Sequence, residues 1–215
     1  MNNEELAEMH RERLSRSQGG SRSTFSLHDT DLVVVEEHGR CLGSSLWPSA
    51  SHLARYMEGW DIESNLPKGF TCLELGCGVG LPGLCAALLG ALSVDLTDTE
   101  ECIPIAQANV DANKLGDVVE VRELDWANSP LTVTYDLVLA ADVVYAPECH
   151  GPLARALLGS TKRGSIVLLA YRQRVLSDNA FWDEISKDFS MQLAWNSHPG
   201  HLPPALEGRF PGAGG

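Results

Sequence analysis

A chain of 215 residues with 44% apolar content suits one domain with a substantial core. Its 29 acidic residues against 16 basic ones leave a formal charge of −13, which argues against a phosphate-tracking nucleic-acid binder and is compatible with a basic protein partner. The six cysteines are scattered, with no CxxC pair and no histidine at ligand spacing, so neither a disulfide framework nor a metal site is expected. The N-terminus lacks the apolar stretch of a signal peptide and no run is long enough to span a bilayer, so a cytoplasmic or nuclear protein is expected.

In chain order, residues 1–24 are polar, end in SRSQGGSRS and read as a flexible tail whose first dozen residues form at most a frayed helix. TFSLHDTDLVVVEEH then reads as two short strands around a turn at His28-Asp29-Thr30. In the segment that follows, Pro48 suits the start of a helix, along which Leu53, Tyr56, Met57 and Trp60 recur at helical spacing.

From residue 70 apolar runs alternate with helical stretches. FTCLEL, SVDLTD, VVEVREL, YDLVLAAD and GSIVLLAYR read as strands. LPGLCAALLGA, EECIPIAQANVDANKL, CHGPLARALLGSTK and NAFWDEISKDF read as helices, and MQLAW as a last strand. Strands joined through helices imply right-handed βαβ units and a parallel sheet covered on both faces, an α/β Rossmann-like domain over residues 25–195. The stretch 196–215 is rich in Pro and Gly without periodicity and reads as an irregular tail.

The stretch ELGCGVGLPG, between a strand and a helix, counts in two ways. Gly78-x-Gly80-x-x-Gly83 is a dinucleotide fingerprint, whereas Glu74-x-Gly76-x-Gly78-x-Gly80 suits S-adenosylmethionine. Glu74 would repel a pyrophosphate and welcome a cationic sulfonium ligand. Pro82 at the helix start sets the turn glycines as Gly76, Gly78 and Gly80, and leaves Gly83 as a packing residue. Asp98 ends the next strand where nucleotide folds place a carboxylate on ribose hydroxyls, a role common to both ligands. Trp126, at the edge of the third strand, serves equally as an adenine wall or as a loop anchor.

Trp47, ELGCGVGLPG, the LTD ending at Asp98, ANVDAN, the LDW ending at Trp126, and Ala141-Asp142-Val143-Val144-Tyr145 occur in one order. In that order they resemble the family 16 protein-lysine methyltransferases of the methyltransferase-like 21 type, a branch of the seven-strand class I fold. The resemblance implies S-adenosylmethionine contacts at Trp47, Gly76, Cys77, Gly78, Asp98, Trp126 and Ala141. It also implies that Asp142 and Tyr145, the D-x-x-Y pair, stand beside the methyl group and the incoming amine. A monomer that methylates lysines of folded proteins, chaperones and translation factors included, goes with it.

The family's closing hairpin has no evident second arm in HLPPALEGRFPGAGG, so either the final strand of the sheet is lost or the tail differs. Methylation of another acceptor and an inactive cofactor-binding module therefore stay open beside lysine methylation.

Overall fold

The computed structural model describes residues 19–128, 131–172, 179–194 and 206–208. Two antiparallel strands, β1 (Gly19–Leu27) and β2 (Thr30–His38), open the chain, and helices α1 (Pro48–Gly59) and α2 (Ile62–Asn65) follow. The main domain then runs β3 (Thr71–Leu75), α3 (Leu81–Leu88), β4 (Ser93–Asp98), α4 (Ile103–Asn113), β5 (Val119–Glu123), β6 (Tyr135–Ala141), α5 (Pro147–Ser160), β7 (Thr161–Ala170), α6 (Asn179–Ile185) and β8 (Leu206–Gly208).

The main sheet has the order β5-β4-β3-β6-β7-β8, and its first five strands are parallel. Alternate residues on these strands feed two separate cores, as a sheet buried on both faces requires. Cys72, Leu96, Leu137, Leu139 and Leu168 pack with α1, α3, α4 and the β1–β2 hairpin. Leu73, Leu75, Val138, Val167 and Leu169 pack with α5 and α6. From β3 the chain moves outward to β5, then returns to lay β6 on the other side of β3. That reversal makes the β3/β6 boundary a topological switch point, with a crevice beyond the strands' C-terminal ends.

The hairpin is tied to the domain by α4. Asn113 exchanges hydrogen bonds with the backbone of Val33, accepting from its N–H at 2.8 Å and donating to its carbonyl at 2.8 Å. Asn109 does the same with Val35, at 2.7 and 2.9 Å. One helical turn apart, the two amides match every second residue of β2 and satisfy its free edge. The ANVDAN motif thus has a concrete task.

Three expectations are corrected. β1 begins at Gly19, so residues 19–24 are paired strand rather than tail, because β2 supplies a complete ladder out to His38. Of MQLAW, the described residues 191–194 form no strand, and Ser190 and Leu193 make only isolated bridges. The tail read as irregular contributes β8, which pairs antiparallel with β7 and covers that edge. Three residues suffice there, since edge pairing uses backbone groups and needs no β-branched run. Among the described residues the main sheet therefore has six strands, not seven. The frayed helix proposed for the first dozen residues lies outside the described residues.

Candidate active site

The loop after β3 follows the register set by Pro82. Gly76, Gly78 and Gly80 have φ values of +66°, +52° and +79°, a region that β-carbon-bearing residues avoid. Gly80 caps α3, with Pro82 in its first turn. A side chain at Gly83 would collide with Leu96 and come within 2.8 Å of the Glu74 carboxylate, so this glycine is a packing residue.

Glu74 lines the crevice, yet only 1% of it is exposed. Its Oε2 accepts the N–H of Gly83 at 2.7 Å, which clasps the start of α3 to the end of β3. Burial raises its pKa to about 8, which favours the protonated form at neutral pH. The hydrogen bond to Gly83 gives Glu74 a structural task as a clasp of the loop.

Asp98, at the tip of β4, accepts the Gly78 N–H through Oδ2 at 2.8 Å and the Thr99 N–H through Oδ1 at 2.7 Å. Desolvation raises its pKa, and these backbone donors oppose the rise. The carboxylate faces the crevice rather than capping α4, whose preceding short 3-10 turn, Glu100–Cys102, is capped by Thr99.

A strap from Cys41 to Trp47 closes the crevice on one side. Glu36 on β2 accepts the Leu46 N–H at 2.7 Å, and the Trp47 indole donates to the Leu42 carbonyl at 2.8 Å. Trp47 caps α1 with Pro48 at its first position. At Gly43 the strap meets the glycine loop so closely that an added β-carbon would lie 2.8 Å from the Gly78 α-carbon.

On the opposite wall Trp126 lies against Gly76, whose hypothetical β-carbon would stand 3.2 Å from the indole Cζ2. Its Nε1–H is buried without a hydrogen-bond partner. A buried orphan donor in a crevice wall is suited to a ligand's acceptor.

Beyond β6, Asp142 has φ +61° and donates its N–H to the Ala170 carbonyl at 2.8 Å. A left-handed non-glycine residue at a strand end is a strained position of the kind that clusters at functional sites. Tyr145 lines the same crevice, and burial pushes its phenol up to about 12, which keeps it neutral at physiological pH. Cys77 is buried and its thiol is raised by desolvation, so it packs as a neutral wall.

All ten residues singled out from sequence, from Trp47 and Glu74 to Ala141, Asp142 and Tyr145, line one cleft of about 370 Å³. That volume is in the range of small-molecule sites. Sequence reasoning missed Cys41, Gly43, Glu101, Cys102, Asp125 and Cys149, which also line it. Asp125 stood next to Trp126 and was findable; the strap residues carry no periodic signal.

A family model described as lysine methyltransferase matches residues 26–188. The chain belongs to the lysine methyltransferase family. It is 37% identical over 179 residues to protein N-lysine methyltransferase METTL21A of Danio rerio, covering 80% of each chain. It is 30% identical over 188 residues to protein-lysine N-methyltransferase EFM6 of Saccharomyces cerevisiae, covering 74% of this chain and 76% of that one. In fold it is similar to a T. thermophilus 16S rRNA N2 G1207 methyltransferase in complex with AdoMet and guanosine. That likeness has TM-score 0.61 and 14% identity, and covers 88% of this chain and 49% of the other. It is also similar to the magnesium protoporphyrin IX methyltransferase of Synechocystis with bound SAM, at TM-score 0.51 and 22% identity, covering 75% and 77%. Both likenesses bear on the fold alone.

Family membership decides between the two glycine counts. The cofactor is S-adenosylmethionine, and the chain is a methyltransferase acting on lysine side chains of protein substrates. Among the described residues no helix is long and apolar enough to cross a membrane.

Proposed function

We propose that the β3/β6 crevice binds S-adenosylmethionine along the glycine loop and Asp98, and admits a substrate lysine beside Asp142 and Tyr145. The observation that carries this reading is that residues from four separate strand ends and the strap line one cleft of the right size. Asp98 lies where it can accept ribose hydroxyls while holding Gly78. Trp126 offers its unpartnered N–H and the face of its ring, and Trp47 and Ala141 wall the remaining sides. When bound, the cofactor supplies a methyl group on a sulfonium, which is already an activated leaving group.

The chain's own residues have correspondingly little acid–base work. A lysine must enter as a neutral amine, and the apolar cleft lowers its pKa by desolvation. Asp142 holds the amine by accepting a hydrogen bond, and the Tyr145 phenol lines the channel and orients it. The left-handed turn at Asp142 sets the direction in which its side chain leaves the end of β6.

The substrate is a lysine on the surface of a folded protein, with chaperones and translation factors as the first proteins to test. An acidic chain of net charge −13, whose cleft carries Glu101, Asp125 and Asp142 and no Lys or Arg among the described residues, favours a lysine-bearing surface. All six cysteines are free, which suits the reducing cytoplasm or nucleus, and the protein acts as a monomer built from a single catalytic domain. Labelled methyl transfer into a cell extract, followed by peptide mapping, tests the reading. Label on lysine is expected, and label confined to arginine, histidine or small amines would overturn it.

A further inference from the structure

The core-facing side of β2 continues past the core. Leu32 and Val34 are buried, and Glu36 and His38, the next two residues on the same side of the strand, bond to the strap instead. Glu36 accepts the Leu46 N–H through Oε1 at 2.7 Å, and His38 Nδ1 stands 2.9 Å from the Ser45 hydroxyl. Ser21, paired with Glu36 on β1, closes a polar ring. Its hydroxyl donates to Glu36 Oε2 at 3.3 Å and lies 3.2 Å from His38 Nε2. With the Ser21 proton given to Glu36, Ser21 can accept from the Nε2–H of His38, so every group in the ring has a partner.

The strap is bonded to itself and so transmits this tether. The Ser44 hydroxyl donates to the Cys41 carbonyl at 2.7 Å and accepts the Cys41 N–H at 3.2 Å, and the Trp47 indole donates to the Leu42 carbonyl at 2.8 Å. Holding Ser45 and Leu46 therefore places Gly43 and Trp47 as well. Gly43 rests directly on the glycine loop: a β-carbon added at Gly78 would lie 2.6 Å from the Gly43 carbonyl oxygen. Gly78 is also the residue whose N–H Asp98 accepts. Glu36, His38 and Leu46 themselves do not line the cleft.

We propose that Glu36, supported by Ser21 and His38, is a positioning residue for cofactor binding. It lies outside the cleft and acts through Leu46 to hold the strap on the glycine loop. The effect on affinity rests on the functional reading above; the tether does not. A strap released from Glu36 keeps its internal bonds but gains freedom relative to Gly78, and cofactor binding then has to order it.

The test uses the full-length chain, titration with S-adenosylhomocysteine, and amide hydrogen exchange of the strap. Glu36→Ala removes the acceptor for Leu46, and roughly tenfold weaker binding is expected from one lost hydrogen bond and a freed strap. Exchange at residues 41–47 should quicken in this variant while β3 and β4 keep their protection. Glu36→Gln keeps an acceptor oxygen for Leu46 and should bind within about threefold of wild type. Asn113→Ala is the control for stability alone, because it frees the hairpin at Val33 and leaves the Asn109 tie at Val35 beside Glu36. It should lower the melting temperature with affinity again within about threefold of wild type. Glu36→Ala binding as tightly as wild type, or Asn113→Ala losing as much affinity as Glu36→Ala, would overturn the proposal. Rapid exchange of the Leu46 amide in the wild type would overturn the tether. If the wild type fails to bind S-adenosylhomocysteine, the cofactor reading and the affinity half fail together, while the exchange rates still decide the tether.

Discussion

The Asp98 carboxylate accepts the Gly78 N–H at 2.8 Å, so the tip of β4 holds the glycine loop of β3 in its left-handed turn. One residue thus shapes the cradle and faces the cleft. Asp98→Ala removes a charge-assisted bond of about 1.5–3 kcal/mol. The expected outcome is at least tenfold weaker S-adenosylhomocysteine binding by titration calorimetry, with the protein still folded. Asp98→Asn, which keeps an acceptor oxygen, should lie between the two.

Asp142 separates strain from chemistry. A β-carbon in the left-handed region costs on the order of 1–2 kcal/mol relative to glycine, and Asp142 occupies it at φ +61°. Asp142→Gly is therefore expected to match or exceed the wild type in thermal stability while losing methyl transfer. A melting scan beside an activity assay checks both halves.

The Asn109 side chain is fully buried and satisfies both backbone groups of Val35 as well as the Ile105 carbonyl. Its truncation leaves the Val35 N–H and carbonyl without these partners, and each such buried group costs about 1–3 kcal/mol. Asn109→Ala is expected to lower stability by about 2–4 kcal/mol, read from urea unfolding. The partly exposed Asn113 should cost less on the same substitution.

Glu74 makes stability fall as pH rises. In the folded protein its pKa is about 8, raised by burial from the ordinary value of 4.5, so the native state keeps a proton that the unfolded chain releases. Its contribution is therefore complete below pH 4.5 and is lost as the pH climbs toward 8. Glu74→Gln mimics the protonated form and should flatten the decline in melting temperature between about pH 5 and pH 8.

The parts of this molecule legible in its sequence are those where local chemistry and long-range packing agree. The β3–loop–α3 unit, Asp98 and the Asp142–Tyr145 pair all sit at strand ends, where apolar runs stop and special residues begin. The clasp that Glu74 makes on Gly83 was not legible, because it depends on packing that only the folded α3 creates. Residues 19–23 gave no strand signal because Gly19, Gly20, Ser21, Arg22 and Ser23 pair through backbone groups, on a partner strand that α4 holds from its other side.

We propose that Asp142 acts on the incoming amine and not on the cofactor. The most direct measurement is the single-turnover rate of methyl transfer to a lysine substrate by Asp142→Asn, taken beside its affinity for S-adenosylhomocysteine. Loss of one well-placed polar contact to the reacting group predicts a rate lower by roughly 10²-fold or more, with affinity within about threefold of wild type, a difference under 1 kcal/mol. A near-normal rate, or a rate loss matched by an equal loss of affinity, would contradict it.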